Sequence, residues 1–212
     1  DRGRQPKIPY YVTGVRDALN DTVSQYRLDR MQGQEKYIEV WVEKDALSNV
    51  FLRVTEQFHV RLMVNKGYSS CSAMHESYKR FKRQVEGGRS PVLLYFGDHD
   101  PSGKDMVRDI ADRLQEFGLD NLEVRNPALT MQQVRQYRLP ENPAKITDPR
   151  AAWYIQEYGT HSWELDALEP PVLIQIVENA LLEYIDMPTY NAVLEEEATQ
   201  KEYIRKLKEE NE

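Results

Sequence analysis

Cysteine is nearly absent: Cys71 stands alone among 212 residues, which excludes an intrachain disulfide and any multi-cysteine zinc site. With no base positioned beside it in the sequence, this thiol is expected to be a small buried hydrophobe rather than a nucleophile. No apolar run approaches about 18 residues and there is no secretory signal pattern, so neither a membrane span nor export is expected. An excess of positive charge is missing too, since the formal net charge is -7, and this argues against generic nucleic-acid binding by charge alone. Internal repeats and low-complexity tracts are absent. What remains is a chain with 40% hydrophobic residues, enough for one α/β core or a core with a helical appendage, and expected to be soluble and cytoplasmic.

The stretch Leu93-Leu94-Tyr95-Phe96-Gly97-Asp98-His99-Asp100-Pro101-Ser102-Gly103 is the most informative. Val92 to Phe96 reads as a fully buried strand, and such strands belong to parallel sheets whose ligands sit beyond the carboxyl ends. Asp98 and Asp100 fall at that end. Residues two apart in an extended chain project to one side, and Pro101 biases Asp100 towards extended backbone, so the two carboxylates can converge on one cation. Oxygen-only ligands suit Mg²⁺ or Mn²⁺ rather than zinc. Ser102 with Asp105 reads as a capping pair for the following helix, leaving the aspartates free for a cation, without which two like charges held together are unfavourable. His99, between them, is expected to point the other way, into packing or solvent.

Two similar units precede this one. Tyr37 to Val42 alternates and is β-rich, then Glu43-Lys44-Asp45 leads into a helical pattern through Ala46, Leu47, Val50, Phe51 and Val54. Glu43 thus sits at another strand's carboxyl end, unless it is a turn residue paired with Lys44. Val60 to Val64 reads as a strand, Asn65 to Ser70 as a turn, and Met74, Tyr78 and Phe81 mark a helix. Right-handed crossovers in this β-α-β-α-β-α order bring Glu43, the Lys66-Gly67 turn and Asp98/Asp100 to one edge of a parallel sheet.

These residues resemble the Toprim domain of topoisomerases, bacterial primases, the topoisomerase VI A subunit and several nucleases. The family pattern is a glutamate after the first strand, a glycine-containing turn after the second and Asp-x-Asp after the third, matched here by Glu43, Gly67 and Asp98/Asp100 over roughly residues 37 to 125. The Asp-Pro-Ser-Gly after the aspartates, Arg125-Asn126-Pro127-Ala128-Leu129-Thr130 after a fourth strand, and Glu164-Leu165-Asp166-Ala167-Leu168 look closest to the topoisomerase VI A and meiotic break-forming branch, or to phage and anti-plasmid relatives. The resemblance implies a Toprim, Rossmann-like α/β fold: a parallel sheet flanked by helices, with a C-terminal helical extension. It also implies Mg²⁺-dependent phosphodiester cleavage of DNA. Glu43, Asp98 and Asp100 would hold Mg²⁺ or Mn²⁺, and Glu164 and Asp166 would place a second ion. Otherwise Glu164 and Asp166 simply cap the helix that Pro170-Pro171 opens. Lys66 and Lys104 are candidate transition-state cations or surface lysines.

Residues 1–36 read as a basic arm, with Arg2, Arg4 and Lys7, followed by an amphipathic helix through Val15, Leu19, Val23 and Tyr26. The resemblance implies a winged-helix module upstream of them. Residues 37–130 form the expected catalytic core and 131–212 a helical extension, with helices at Thr130 to Tyr137, Asp148 to Tyr158 and from Pro170, then a charged, solvated helix from Thr189. Between Arg61 and Arg89 basic residues outnumber acids, and Lys79, Arg80, Lys82 and Arg83 are the expected phosphate contacts, against a plain solvated face. Three other functions compete with the nuclease. A topoisomerase-like transesterase needs an attacking tyrosine, which in the resembling family lies upstream; Tyr10 and Tyr11 occupy only the basic arm. A non-catalytic DNA-associated module would keep the fold with a vestigial site. An aspartyl phosphatase also uses Asp-x-Asp, but on its first strand and with Thr or Val where Ser102 stands here. Double-strand cutting is simplest for a two-fold dimer.

Overall fold

The computed structural model describes residues 11–65, 70–144, 148 and 150–209. Its contacts group into two units, Gly33–Met187 and the two ends, Asp1–Gln32 with Pro188–Glu212. The strands are β1 (Lys36–Val42), β2 (Arg61–Val64), β3 (Ser90–Phe96) and β4 (Glu123–Ala128), with two-residue strands β5 (Asn142–Pro143) and β6 (His161–Ser162). The helices are α1 (Val15–Gln25), α2 (Ser48–Phe58), α3 (Cys71–Glu86), α4 (Pro101–Glu116), α5 (Met131–Tyr137), α6 (Ala151–Tyr158), α7 (Pro170–Leu182) and α8 (Met187–Glu209). None of them is long and apolar enough to cross a membrane, among the described residues.

The first four strands form one all-parallel sheet in the order β2-β1-β3-β4, flanked by helices in an α/β arrangement compatible with a Rossmann-like fold. β1 and β3 are central and buried on both faces, which is why β3 reads as a near-continuous apolar run, whereas β1 keeps an alternating look because Glu39 interrupts it. One face carries Trp41, Leu93 and Tyr95 against Met74 and Phe81 of α3 and Met106, Ile110 and Leu114 of α4. On the other face Phe96 meets Phe51 of α2 edge to face at 4.9 Å, and α7 packs on α2 and β4 through buried Leu173, Val177 and Leu181. The chain leaves β1 towards β2 on one side and β3 towards β4 on the other. The carboxyl ends of β1 and β3 are therefore the topological switch point, where open α/β sheets bind ligands.

Several local expectations change. Arg125 to Ala128 belong to β4 itself rather than following it, because the edge position tolerates Pro127, which has no N–H to give, and the pairing with β3 shifts register between Leu94 and Phe96. Cys71 is exposed rather than buried, since it opens α3 on the solvent side. Asp100, not Ser102, caps α4: its Oδ1 accepts from Gly103 N at 2.7 Å, with Pro101 in the first turn, the usual place for a proline. Asp105 instead pairs with Arg108 at 2.8 Å. Lys66 and the Gly67 turn, like Arg2, Arg4, Lys7 and Tyr10, lie outside the described residues.

In the other unit, α1 forms as its periodicity predicts, with Leu19 and Val23 half-buried. Glu197 of α8 is 4% exposed; it accepts from Leu28 N at 3.0 Å and binds Lys201 at 2.6 Å. Tyr26 hydroxyl donates to Gln200.

Candidate metal centre

β1 and β3 pair in register to their last residues, Val42 with Phe96, and Glu43 N then donates to Phe96 O at 2.9 Å. This delivers Glu43 beside the Gly97-Asp98 turn. Its Oε2 accepts from Asp98 N and from Tyr95 hydroxyl, each at 3.2 Å. Gly97 allows the approach: a Cβ there would lie 2.7 Å from the Tyr95 ring and 2.8 Å from Glu43 Oε2. Gly103 does the same one turn on, where a Cβ would lie 2.2 Å from Asp98 O. The Gly-Asp-x-Asp-Pro-x-Gly spacing thus lets the backbone fold tightly around two carboxylates.

Glu164 and Asp166 arrive from a distant segment. His99 and Trp163 exchange backbone hydrogen bonds, His99 N to Trp163 O at 2.8 Å and Trp163 N to His99 O at 3.0 Å, and Leu165 N donates to Asp98 Oδ1 at 2.8 Å. The His99 ring is 1% exposed, as expected for a residue pointing away from the aspartates, and packs edge-on against Tyr154, Tyr158 and Trp163. Burial, helped by the charge of Lys104, pushes its pKa down to about 4, so it is neutral at pH 7. Tyr154 hydroxyl donates to the carbonyls of His99 and His161, at 2.8 and 3.0 Å. The capping alternative for Glu164 and Asp166 fails: Glu164 precedes and Asp166 lies within a short 3-10 turn (Leu165–Ala167) with no side-chain cap bond, and Glu169 is the residue before α7.

Both acids instead meet Lys44. Its Nζ lies 2.9 Å from Glu164 Oε2, 3.0 Å from Asp166 Oδ1 and 3.6 Å from Asp98 Oδ2. Lys44 sits on extended backbone after Glu43, so the two side chains diverge and Lys44 does not pair with Glu43. Burial works against its charge, but the bonds from Glu164 and Asp166 and the charge of Asp98 outweigh it and raise its pKa.

The acids crowd one another. Burial raises the Glu43 pKa first, and the charge of Asp98 adds to it, against the relief given by Asp98 N–H. Burial likewise raises that of Asp98, partly offset by Leu165 N–H and Lys44. Among the described residues no three acidic, histidine or cysteine side chains stand close enough to hold a metal ion as they are. The geometry explains this: Lys44 draws Asp98, Glu164 and Asp166 to itself, while Asp100 commits one oxygen to its cap. The donor chemistry nevertheless fits a hard divalent cation. All the donors are carboxylate oxygens, and Glu43 Oε1 and Asp100 Oδ2 take no hydrogen bond among the described residues, the bonds of both falling on the other oxygen.

Lys104, in the first turn of α4, is half-buried, its ammonium donating to Asn126 Oδ1 of β4 at 3.0 Å and to Leu129 O just past it at 3.3 Å, and burial lowers its pKa. The basic helix face divides. Arg80 is committed inward: it grips the fully buried Glu39 with two bonds, Nε to Oε1 at 2.9 Å and Nη2 to Oε2 at 3.0 Å. Lys79, Lys82 and Arg83 are exposed, Lys79 beside Glu76 at 2.8 Å and Lys82 over the Tyr78 ring at 5.7 Å. The sequence reading missed Lys44 as an organiser and Tyr95 and Tyr154 as donors. The lysine directly after a strand-end glutamate was the one local signal for the first.

No protein-family model, no curated protein and no solved structure matches the chain.

Proposed function

We propose that the unit Gly33–Met187 is a Toprim-type domain that cleaves DNA phosphodiesters with Mg²⁺ or Mn²⁺ held by Glu43, Asp98 and Asp100. The observation that carries this reading is the arrival of three carboxylates at the β1/β3 switch point, two of them, Glu43 and Asp98, with pKa values raised by burial and by neighbouring carboxylates. Acids so arranged are unfavourable for the fold alone and cluster at functional sites. When bound, the ion supplies Lewis-acid polarisation of the scissile phosphate. The chain's own residues do the rest. Tyr95 and Asp98 N–H fix the Glu43 carboxylate, Gly97 and Gly103 leave room for the turn, and the His99–Trp163 bridge holds Glu164 and Asp166 at the same edge. Lys79, Lys82 and Arg83, exposed on α3, are the remaining candidates for phosphate-backbone contacts.

Hydrolysis is favoured over tyrosine transesterification within this unit. Tyr95 and Tyr154, the hydroxyls that feel the acids, are buried donors, and burial raises the pKa of both, with Glu43 adding to Tyr95 and Asp100 to Tyr154. Neither is poised as a nucleophile. The test is supercoiled-plasmid cleavage with Mg²⁺ or Mn²⁺. Nicking or linearisation is expected for wild type and a loss of at least about 1000-fold for Asp98→Ala/Asp100→Ala, because several kcal/mol of charge stabilisation leave with the metal. A well-folded wild type that leaves the plasmid intact overturns the nuclease.

A further inference from the structure

Three carboxylates from two separate segments surround one ammonium. Asp98 comes from the turn after β3, Glu164 and Asp166 from the 3-10 turn before α7, and Lys44 reaches them from the end of β1 at 3.6, 2.9 and 3.0 Å. An exposed lysine pair is ordinarily weak and contributes little. This one differs in two respects. The Lys44 side chain is only 26% exposed and has three partners, and the segment carrying two of them is pinned by the His99–Trp163 backbone pair and by Leu165 N–H on Asp98. The ammonium therefore lies where Glu164 and Asp166 would otherwise place a second divalent ion.

We propose that Lys44 takes the place of that second ion, so that the centre works with one divalent cation and one built-in monovalent one. The inference rests on the reading of Glu43, Asp98 and Asp100 as a metal site and sets its stoichiometry. Two divalent ions about 4 Å apart serve as a paired clamp on the attacking and leaving oxygens. Here the Lys44 ammonium neutralises Asp98, Glu164 and Asp166 in place of one of them. A divalent ion entering the same nest would have to displace the ammonium from Glu164 and Asp166, which it holds at 2.9 and 3.0 Å, because two cations that close repel one another; Asp98, at 3.6 Å, can face both cations as a bridging carboxylate. The lysine is also a positioning residue: its bonds keep Glu164 and Asp166 directed at the strand ends rather than at solvent.

The test is the number of Mn²⁺ ions bound per chain, read by electron paramagnetic resonance on the full chain without DNA, with circular dichroism as the control for folding. Wild type and Lys44→Arg are expected to bind one ion, and Lys44→Met two, since removal of the ammonium frees its three carboxylates. Lys44→Gln, measured in parallel, gives the same reading should the methionine variant not fold. Two ions on wild type, or one on both neutral variants, overturns the role of Lys44 and leaves the metal site standing. No ion on wild type overturns the metal site and this inference together.

Discussion

β1 and the residue just past it carry two glutamates four residues apart with opposite surroundings. Glu39, in the middle of the strand, is fully buried and every neighbour is a donor: Arg80 through both oxygens, Tyr37 hydroxyl at 2.7 Å and Trp41 Nε1 at 2.9 Å. Glu43, one residue past the strand end, has two donors on a single oxygen and faces Asp98 and Asp100. A carboxylate inside the fold must bring its own countercharge, because desolvation without one is prohibitive. One at the strand ends, beside other carboxylates, leaves its countercharge to come from outside. The same residue type is thus a structural ion pair in mid-strand and a candidate ligand one residue past the strand end.

The largest effect that breaks the comparison is on the Glu39 side. Arg80→Ala strands a buried carboxylate and is expected to destabilise the fold by about 3 to 5 kcal/mol in urea unfolding. A stable Arg80→Ala protein with weakened DNA binding would instead return Arg80 to the phosphate contacts. On the other side the sign reverses. The folded-state pKa of Glu43 lies above its unfolded value, so ionised Glu43 opposes folding at neutral pH, and the penalty fades as the pH falls through the folded-state value. Metal-free Glu43→Gln is expected to be more stable than wild type at pH 7 by about 1 kcal/mol, a common gain when functional strain is relieved, with the difference closing by about pH 4 in thermal unfolding. The smallest change in stability belongs to Lys79→Ala/Arg83→Ala, expected within about 0.5 kcal/mol of wild type because both side chains are exposed. Duplex binding by this variant should weaken and lose part of its salt dependence; unchanged binding removes α3 from the interface.

Much of this contrast was legible in the chain. β3 announces itself as an apolar run because both its faces are covered, β1 as a β-rich alternating segment, and Glu43, Asp98 and Asp100 follow from where those segments stop. The cap on α4 was legible but misread: a proline at the first helical position makes the residue before it the cap, so Pro101 points to Asp100 rather than Ser102. Arg80 could also have been found, since the buried residues Met74, Ser77 and Phe81 trace the inner face of α3 and Arg80 borders it, whereas Lys79, Lys82 and Arg83 do not. Lys44 could not. Its partners Glu164 and Asp166 lie about 120 residues away, brought close by a backbone bridge between His99 and Trp163 that no local pattern encodes.

The claim that the strand-end acids form a divalent-cation site is tested most directly by thermal unfolding with and without Mn²⁺. A ligand that binds only the folded state at about 100 times its dissociation constant stabilises it by about 2.7 kcal/mol. Wild type is expected to gain on that scale and Asp98→Ala/Asp100→Ala to gain nothing; an equal gain in both proteins, or none in wild type, would contradict the assignment.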